Sequence, residues 1–283
     1  MGLLIAAGPV SSQTVDYEGG VSLMRGAFVF ADPTTSWALS TGLSLSADRL
    51  FARVTLPVYY QNSALVAGSG AGRIPTGGSS SGAVADSGRT HQGGGGDGGG
   101  MRLRSTGAPH GGPVEVPPSA HDDYTVIAGD PVAQLGWRLV TRPGVLVNTS
   151  ISAKAPVTDT TAAGTGEWDV GVSLGVGRSI GTWGGVTLEA SYWRLGDMPT
   201  LELRDPLQGS VGVFAFLGEG WAGGATVAAS TTILEGYDPP VSAGITLSRV
   251  SAQRTIGVSA GVGLTETSPQ FFAGLSWSFR IAE

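Results

Sequence analysis

Strict alternation of apolar with small or polar residues, repeated in segments of about ten residues, constrains this chain more than any other feature. In Asp169 to Gly177, Val170, Val172, Leu174 and Val176 fall on one face and Asp169, Gly171, Ser173, Gly175 and Gly177 on the other. Thr255 to Leu264 repeats the pattern, with Ile256, Val258, Ala260, Val262 and Leu264 opposite Thr255, Gly257, Ser259, Gly261 and Gly263. The last segment sets Phe271, Ala273, Leu275, Trp277, Phe279 and Ile281 against Phe272, Gly274, Ser276, Ser278 and Arg280. A period of two is a strand, and about ten residues is the length of a strand tilted across a bilayer. The pattern predicts strands over 22–31, 36–46, 50–62, 131–140, 145–156, 168–180, 185–194, 208–218, 221–233, 240–250, 253–265 and 269–281. Their number is even, as single-chain bacterial barrels require.

An open sheet would leave backbone groups unpaired in hydrocarbon, so strands that cross a membrane must close on themselves. No uninterrupted apolar run approaches the ~18 residues of a spanning helix. The expected fold is therefore all-β: one closed antiparallel transmembrane β-barrel of about twelve strands. The connections agree. Ala47-Asp48-Arg49, Thr141-Arg142-Pro143-Gly144, Gly181-Thr182-Trp183-Gly184, Leu217-Gly218-Glu219-Gly220 and Ser251-Ala252 are tight. Most of the intervening ones are longer, matching short periplasmic turns and longer external loops.

Only 13% of the 283 residues are charged, against 41% hydrophobic. Soluble domains carry about 25% charged residues, so part of this surface is expected to face lipid. The net charge of −6 argues against nucleic acid as a partner. The absence of Cys removes disulfides, thiolate metal sites and Cys nucleophiles. Residues 1–13 read as the remnant of an export signal or as a disordered leader. Residues 14–283 read as the barrel domain, with a Gly-rich external loop at 63–122 expected to be mostly disordered. A folded plug within that loop is the less favoured alternative, for want of large apolar residues.

Aromatic residues cluster near predicted strand ends. Trp37, Tyr60, Trp137, Trp168, Trp183, Tyr192, Trp193, Trp221, Trp277 and Phe279 are expected to form two girdles at headgroup level.

Groups that carry chemistry are few. His91, His110 and His121 all lie in the long loop, and none stands on a strand. Gly78-Ser79-Ser80-Ser81-Gly82 has the letters of a nucleophile elbow without its strand–turn–helix context. Gly68-Ser69-Gly70-Ala71-Gly72 is a weak phosphate-loop candidate that opens no helix. No catalytic residue, metal site or cofactor is expected. Charges on the strands are expected to point inward and line a pore: Arg25, Arg53, Arg138, Lys154, Asp169, Glu189 and Arg280. A lipid-facing charge at mid-depth would cost about 2–4 kcal/mol. Two readings of this set stand side by side: a basic eyelet for anionic or polarisable solutes, or internal ion pairing. Gly171, Ser173, Gly175, Ser242, Gly244, Gly257, Ser259 and Gly261 crowd the same face. They either leave a narrow open path or ease curvature.

Several motifs resemble the outer-membrane proteins associated with the meta-pathway of phenol degradation. They are Lys154-Ala155-Pro156-Val157-Thr158-Asp159, Gly164-Thr165-Gly166-Glu167-Trp168-Asp169-Val170-Gly171, Gly236-Tyr237-Asp238-Pro239-Pro240, and the closing Ser268-Pro269-Gln270-Phe271 with Gly274-Leu275-Ser276-Trp277-Ser278-Phe279-Arg280. The similarity covers roughly 124–283 and more loosely 22–62. It implies a bacterial outer-membrane location and uptake of small, often aromatic or hydrophobic compounds. It supplies no catalytic residues. The Gly-rich insertion departs from the family pattern, as does the ending Arg280-Ile281-Ala282-Glu283. Recognition by the barrel-assembly machinery would then rest on Trp277, Phe279 and Ile281. The expected function is an outer-membrane channel for diffusion of small molecules, with lipid and solute as partners. A barrel hydrolase and an autotransporter-type or adhesin module are the alternatives.

Overall fold

The computed structural model describes residues 13–28, 33–62, 66–75, 124–158, 164–197 and 203–283. Its strands are β1 (Thr14–Gly26), β2 (Thr34–Ala47), β3 (Leu50–Gln61), β4 (Val66–Ser69), β5 (Gly72–Pro75), β6 (Thr125–Ala128), β7 (Val132–Arg142), β8 (Val145–Lys154), β9 (Asp169–Ile180), β10 (Gly184–Arg194), β11 (Leu207–Gly218), β12 (Trp221–Ser230), β13 (Val241–Val250), β14 (Arg254–Gly263) and β15 (Phe271–Ala282). Twelve long strands pair antiparallel in a ring. β1 joins β15 across the two ends of the chain, and β2–β3 completes the circuit. The expected closed twelve-strand barrel is therefore the fold. Eleven of its strands match the predicted segments closely.

The register carries the alternation around the wall. Val172 pairs with Ile151 and Tyr192, and Leu188 pairs with Val176 and Val211. These apolar side chains point outward, with Val172 51% exposed and Leu188 55% exposed. The inner rows are small or polar, such as Ser150, Ser173 and Ser191. A wall that is apolar outside and polar inside is that of an all-β transmembrane barrel. Arginines that share the outer face, Arg178, Arg249 and Arg254 among them, stand at strand ends. There the cost of an outward charge falls to about 0–1 kcal/mol.

One end of the barrel carries the tight turns. Gly144 adopts φ 78°, and Glu219 (φ 50°) sits between Gly218 (φ 89°) and Gly220 (φ 80°). Left-handed backbone of this kind suits tight strand connections and favours glycine. The other end carries the longer connections, and these two ends are called the turn end and the loop end below.

Two departures from the sequence expectation have physical causes. The first strand spans Thr14–Gly26, not 22–31. Its inner face begins with Asp16 and Glu18, charges that break the apolar–small pattern and are balanced by Arg280 and Arg53. Residues 29–31 of the predicted span lie outside the described residues. The second departure is in the long insertion. Residues 66–75 form the β4–β5 hairpin in place of a disordered loop. The Gly-rich run at 93–100, the three His residues and Ser80 lie outside the described residues.

β6 continues the line of β7 along β3, with a break at 129–131. Pro57 faces this break. Its carbonyl accepts the Gly129 N–H at 2.8 Å, but proline has no N–H to return.

Candidate functional site

The lumen is built by the inward residues, and most of the predicted pore-lining set stands there. Cross-strand register places Asp16, Arg53, Arg138, Lys154, Asp169, Glu189 and Arg280 on the face opposite the apolar belt. Arg25 is not among them. It follows Val21 and Leu23 on the outer face and pairs with Phe271 and Thr35, one residue from the end of β1. A guanidinium at that height reaches the rim, where its charge stays hydrated.

Near the turn end, Arg280 Nε lies 3.5 Å from Asp16 Oδ1, and Nη1 lies 3.3 Å from Glu283 Oε1. Arg138 donates to the Asp48 carbonyl at 2.8 Å and to Ser46 Oγ at 3.1 Å. Its guanidinium lies 5.9 Å from the centre of the Phe51 ring. Further along, Arg53 meets Glu18 through two contacts, Nε–Oε2 at 2.9 Å and Nη2–Oε1 at 3.1 Å. Ser44 Oγ donates to the same carboxylate at 2.8 Å. This pair remains wet, with the Arg53 side chain 40% exposed and that of Glu18 25%. Glu189, near the middle of β10, is exposed between Gly175 and Ser210 and makes no ion pair among the described residues. Internal pairing thus accounts for Arg53, Lys154 and Arg280. The inner wall carries no basic surplus.

The loop end differs. Lys154 Nζ contacts Asp130 Oδ2 at 3.1 Å and Asp169 Oδ2 at 3.4 Å, and donates to Thr165 Oγ1 at 2.6 Å. Both ion pairs are at most 2% exposed on either side. One ammonium faces two carboxylates, so one negative charge is left over. Backbone donors meet it. Val157 and Thr158 N–H groups bond Asp130 Oδ1 at 3.0 and 2.8 Å. Gly70 N–H bonds Asp169 Oδ2 at 2.7 Å, and Gly196 N–H bonds Oδ1 at 3.1 Å. Buried charges are tolerated only when paired and fully hydrogen-bonded, which this network achieves.

Through Gly70 the network also seats the β4–β5 hairpin inside the mouth. The glycine-rich stretch 68–72 is the turn of this hairpin. A Cβ at Gly70 would overlap the Trp193 ring, so glycine is required by close approach. Gln208 Nε2 donates to the Ala71 carbonyl at 2.6 Å from the far wall. Val66 and Ile74 are fully buried, in a cluster with Phe28, Trp193, Leu195, Leu203 and Leu234. Phe28 holds φ 54°, unfavourable for a bulky residue by roughly 1–2 kcal/mol, offset by burial of its ring in this cluster. Trp193 therefore leaves the predicted girdle: it points inward, is 9% exposed, and packs against Gly70 and Gly171. The other girdle residues form two bands. Trp37, Tyr60, Trp168 and Tyr192 stand near the loop end, and Trp137, Trp183, Trp221, Trp277 and Phe279 near the turn end.

Arg73, on β5, is the residue that sequence reasoning missed. Nη2 donates to Gln61 Oε1 and, at 3.1 Å, to the Val66 carbonyl. The guanidinium lies 4.2 Å from the centre of the Tyr59 ring. Nε and Nη1 are buried with no hydrogen-bond partner among the described residues. Burial pushes the guanidinium pKa below its ordinary value, and Tyr59 offsets part of the effect. A buried donor left unpaired costs about 1–3 kcal/mol. The only sequence signal was an arginine flanked by small and apolar residues beside a Gly-rich turn.

No protein-family model matches the sequence, and comparison with curated proteins finds no match. Among solved structures, the fold is similar to the COG4313 outer membrane channel from Pseudomonas putida F1. The TM-score is 0.61 at 13% identity, over 98% of this chain and 97% of that one. The NanC porin gives 0.47 at 8% identity, over 94% of this chain and 100% of that one. The KdgM porin in complex with disordered oligogalacturonate gives 0.46 at 6% identity, over 95% and 99%. At 13% identity the first of these likenesses establishes a shared barrel fold.

Proposed function

We propose that this chain is a bacterial outer-membrane channel through which small molecules diffuse, with its loop-end mouth occupied by the β4–β5 hairpin. The observation that carries the reading is the contrast between the two faces of one closed wall. The outer face is apolar between two aromatic bands. The inner face is lined mainly by Gly, Ser and wet ion pairs such as Glu18–Arg53, with a few aromatic rings, Phe51 and Phe272 among them. A packed barrel core would fill that space with large side chains, whereas small ones leave a path. Register places Ser173, Gly257 and Ser259 inward among small cross-strand neighbours, while Trp193, Asn148 and Phe272 lie over Gly171, Gly175 and Gly261. The likeness to an outer membrane channel supports the fold on which the reading stands.

The finer assignment, to the phenol meta-pathway proteins and to aromatic or hydrophobic solutes, rests on the motif resemblance. Lys154, Thr165 and Asp169, which belong to those motifs, are the residues that hold the mouth together. Outward exposure of Phe279 and Ile281 on β15 fits a closing strand read by the assembly machinery.

Purified protein in a planar bilayer should give stepwise ionic conductance. Lack of current from correctly folded barrels, combined with hydrolysis of a lipid or peptide substrate, would replace the channel by an enzyme.

A further inference from the structure

We infer that Arg73 is the docking group for the carboxylate of an anionic solute with an apolar body. The inference rests on the channel reading and extends it to a substrate class. Three observations converge. Two guanidinium donors, Nε and Nη1, are buried without a hydrogen-bond partner among the described residues, although the neighbouring Gln61 amide and Gly70 N–H are hydrogen-bonded. Arg73 makes no ion pair with a described carboxylate. Gln61, isosteric with glutamate, occupies the place where an internal counter-ion would serve. The surroundings are apolar and aromatic: Tyr59 lies against the guanidinium, and Val66 is fully buried beside it.

Fixed positive charge inside a protein is normally neutralised in place. Here the cation is retained with no neutraliser among the described residues, at the passage between the loop end and the lumen. An incoming carboxylate would supply acceptor oxygens and the compensating charge together. A single cation with an aromatic neighbour suits a monoanion better than a multiply charged phosphate. The hairpin must shift to admit the ligand, because Nε and Nη1 are closed off from solvent. Among the described residues its polar ties to the far wall are two, Gly70 to Asp169 and Ala71 to Gln208. Breaking the first leaves Asp169 with Lys154 and the Gly196 N–H.

The test is calorimetric titration of the full, detergent-folded chain with benzoate and with its neutral analogue benzamide, at matched ionic strength. Benzoate should bind at least about tenfold more tightly, a gap of ~1.4 kcal/mol. Arg73→Gln should abolish the preference and Arg73→Lys should keep part of it. Gln61→Glu, which gives the guanidinium its own carboxylate, should abolish it with Arg73 intact. Equal binding of the two probes by the wild-type chain would overturn the inference, as would a preference that survives either Arg73→Gln or Gln61→Glu. Heat-modifiable gel mobility establishes that each variant is folded. If Arg73→Gln does not fold, the wild-type comparison and Gln61→Glu still decide. Potassium chloride conductance separates carboxylate docking from the channel reading. Conductance without benzoate preference sinks this inference alone. Preference without conductance sinks the channel reading alone.

Discussion

The Lys154 network and the Glu18–Arg53 pair use the same chemistry in the same barrel, yet they sit in opposite environments. At the loop end, the ammonium and both carboxylates are at most 2% exposed, and four backbone N–H groups complete the shell. Lower in the lumen, Arg53 and Glu18 keep much of their hydration. The dry network joins segments that are distant in sequence: the hairpin, the approach to β7, and the connections after β8 and β10. The wet pair joins two strands of one wall. Burial converts charge into architecture at the mouth, while exposure leaves charge hydrated below it.

This contrast can be broken experimentally, beginning where the expected effect is greatest. Lys154→Met should destabilise the folded barrel by about 3–5 kcal/mol, because it strands two buried carboxylates. The urea midpoint of reversible unfolding measures this, and a loss below about 1 kcal/mol would show the network to be hydrated. Leu174→Arg tests the outer wall. A guanidinium facing lipid at mid-height should cost about 2–4 kcal/mol in vesicles, while Arg25→Leu should change stability by less than about 1 kcal/mol. Equal effects would contradict the assignment of height. Gly70→Val should unseat the hairpin by collision with Trp193 and raise single-channel conductance severalfold. Unchanged conductance would mean that the hairpin does not limit the path. Arg53→Gln should be mildest for stability, below about 1 kcal/mol as for exposed pairs, yet should shift the reversal potential toward cation selectivity. An unaltered reversal potential would remove the wet pair from the conduction path.

The wall was legible in the sequence because alternation is local: each strand announces its period within its own ten residues. The mouth was not, because its contacts span great separations. Gly70 and Asp169 are 99 residues apart, and Ala71 and Gln208 are 137 apart. No periodicity records such pairings. The hairpin is also short, with four residues in each strand, and glycine-rich, so its apolar content was too small to signal burial. Two misplacements were avoidable. Tyr192 and Trp193 are adjacent on β10, so they face opposite sides of the sheet and cannot both belong to a lipid girdle. Arg25 shares the parity of Val21 and Leu23, which puts it on the outer face. The inward run of Asp16 and Glu18 was harder to read, since its partners lie on β15 and β3. Resemblance marked Lys154 and Asp169, but sequence alone did not reveal that Asp130 completes their cluster.

A sheet without free edges has nowhere to fray, so its weakest seam lies wherever an inter-strand bond is missing. Pro57 creates such a gap at the junction of β3 with β6 and β7. Amide protons flanking that junction, Gly129 foremost, should exchange with deuterium ahead of those in β11 to β14, where the ladders run unbroken through the strand centres. The same seam carries Asp130, so the first part of the wall to breathe is also an anchor of the mouth.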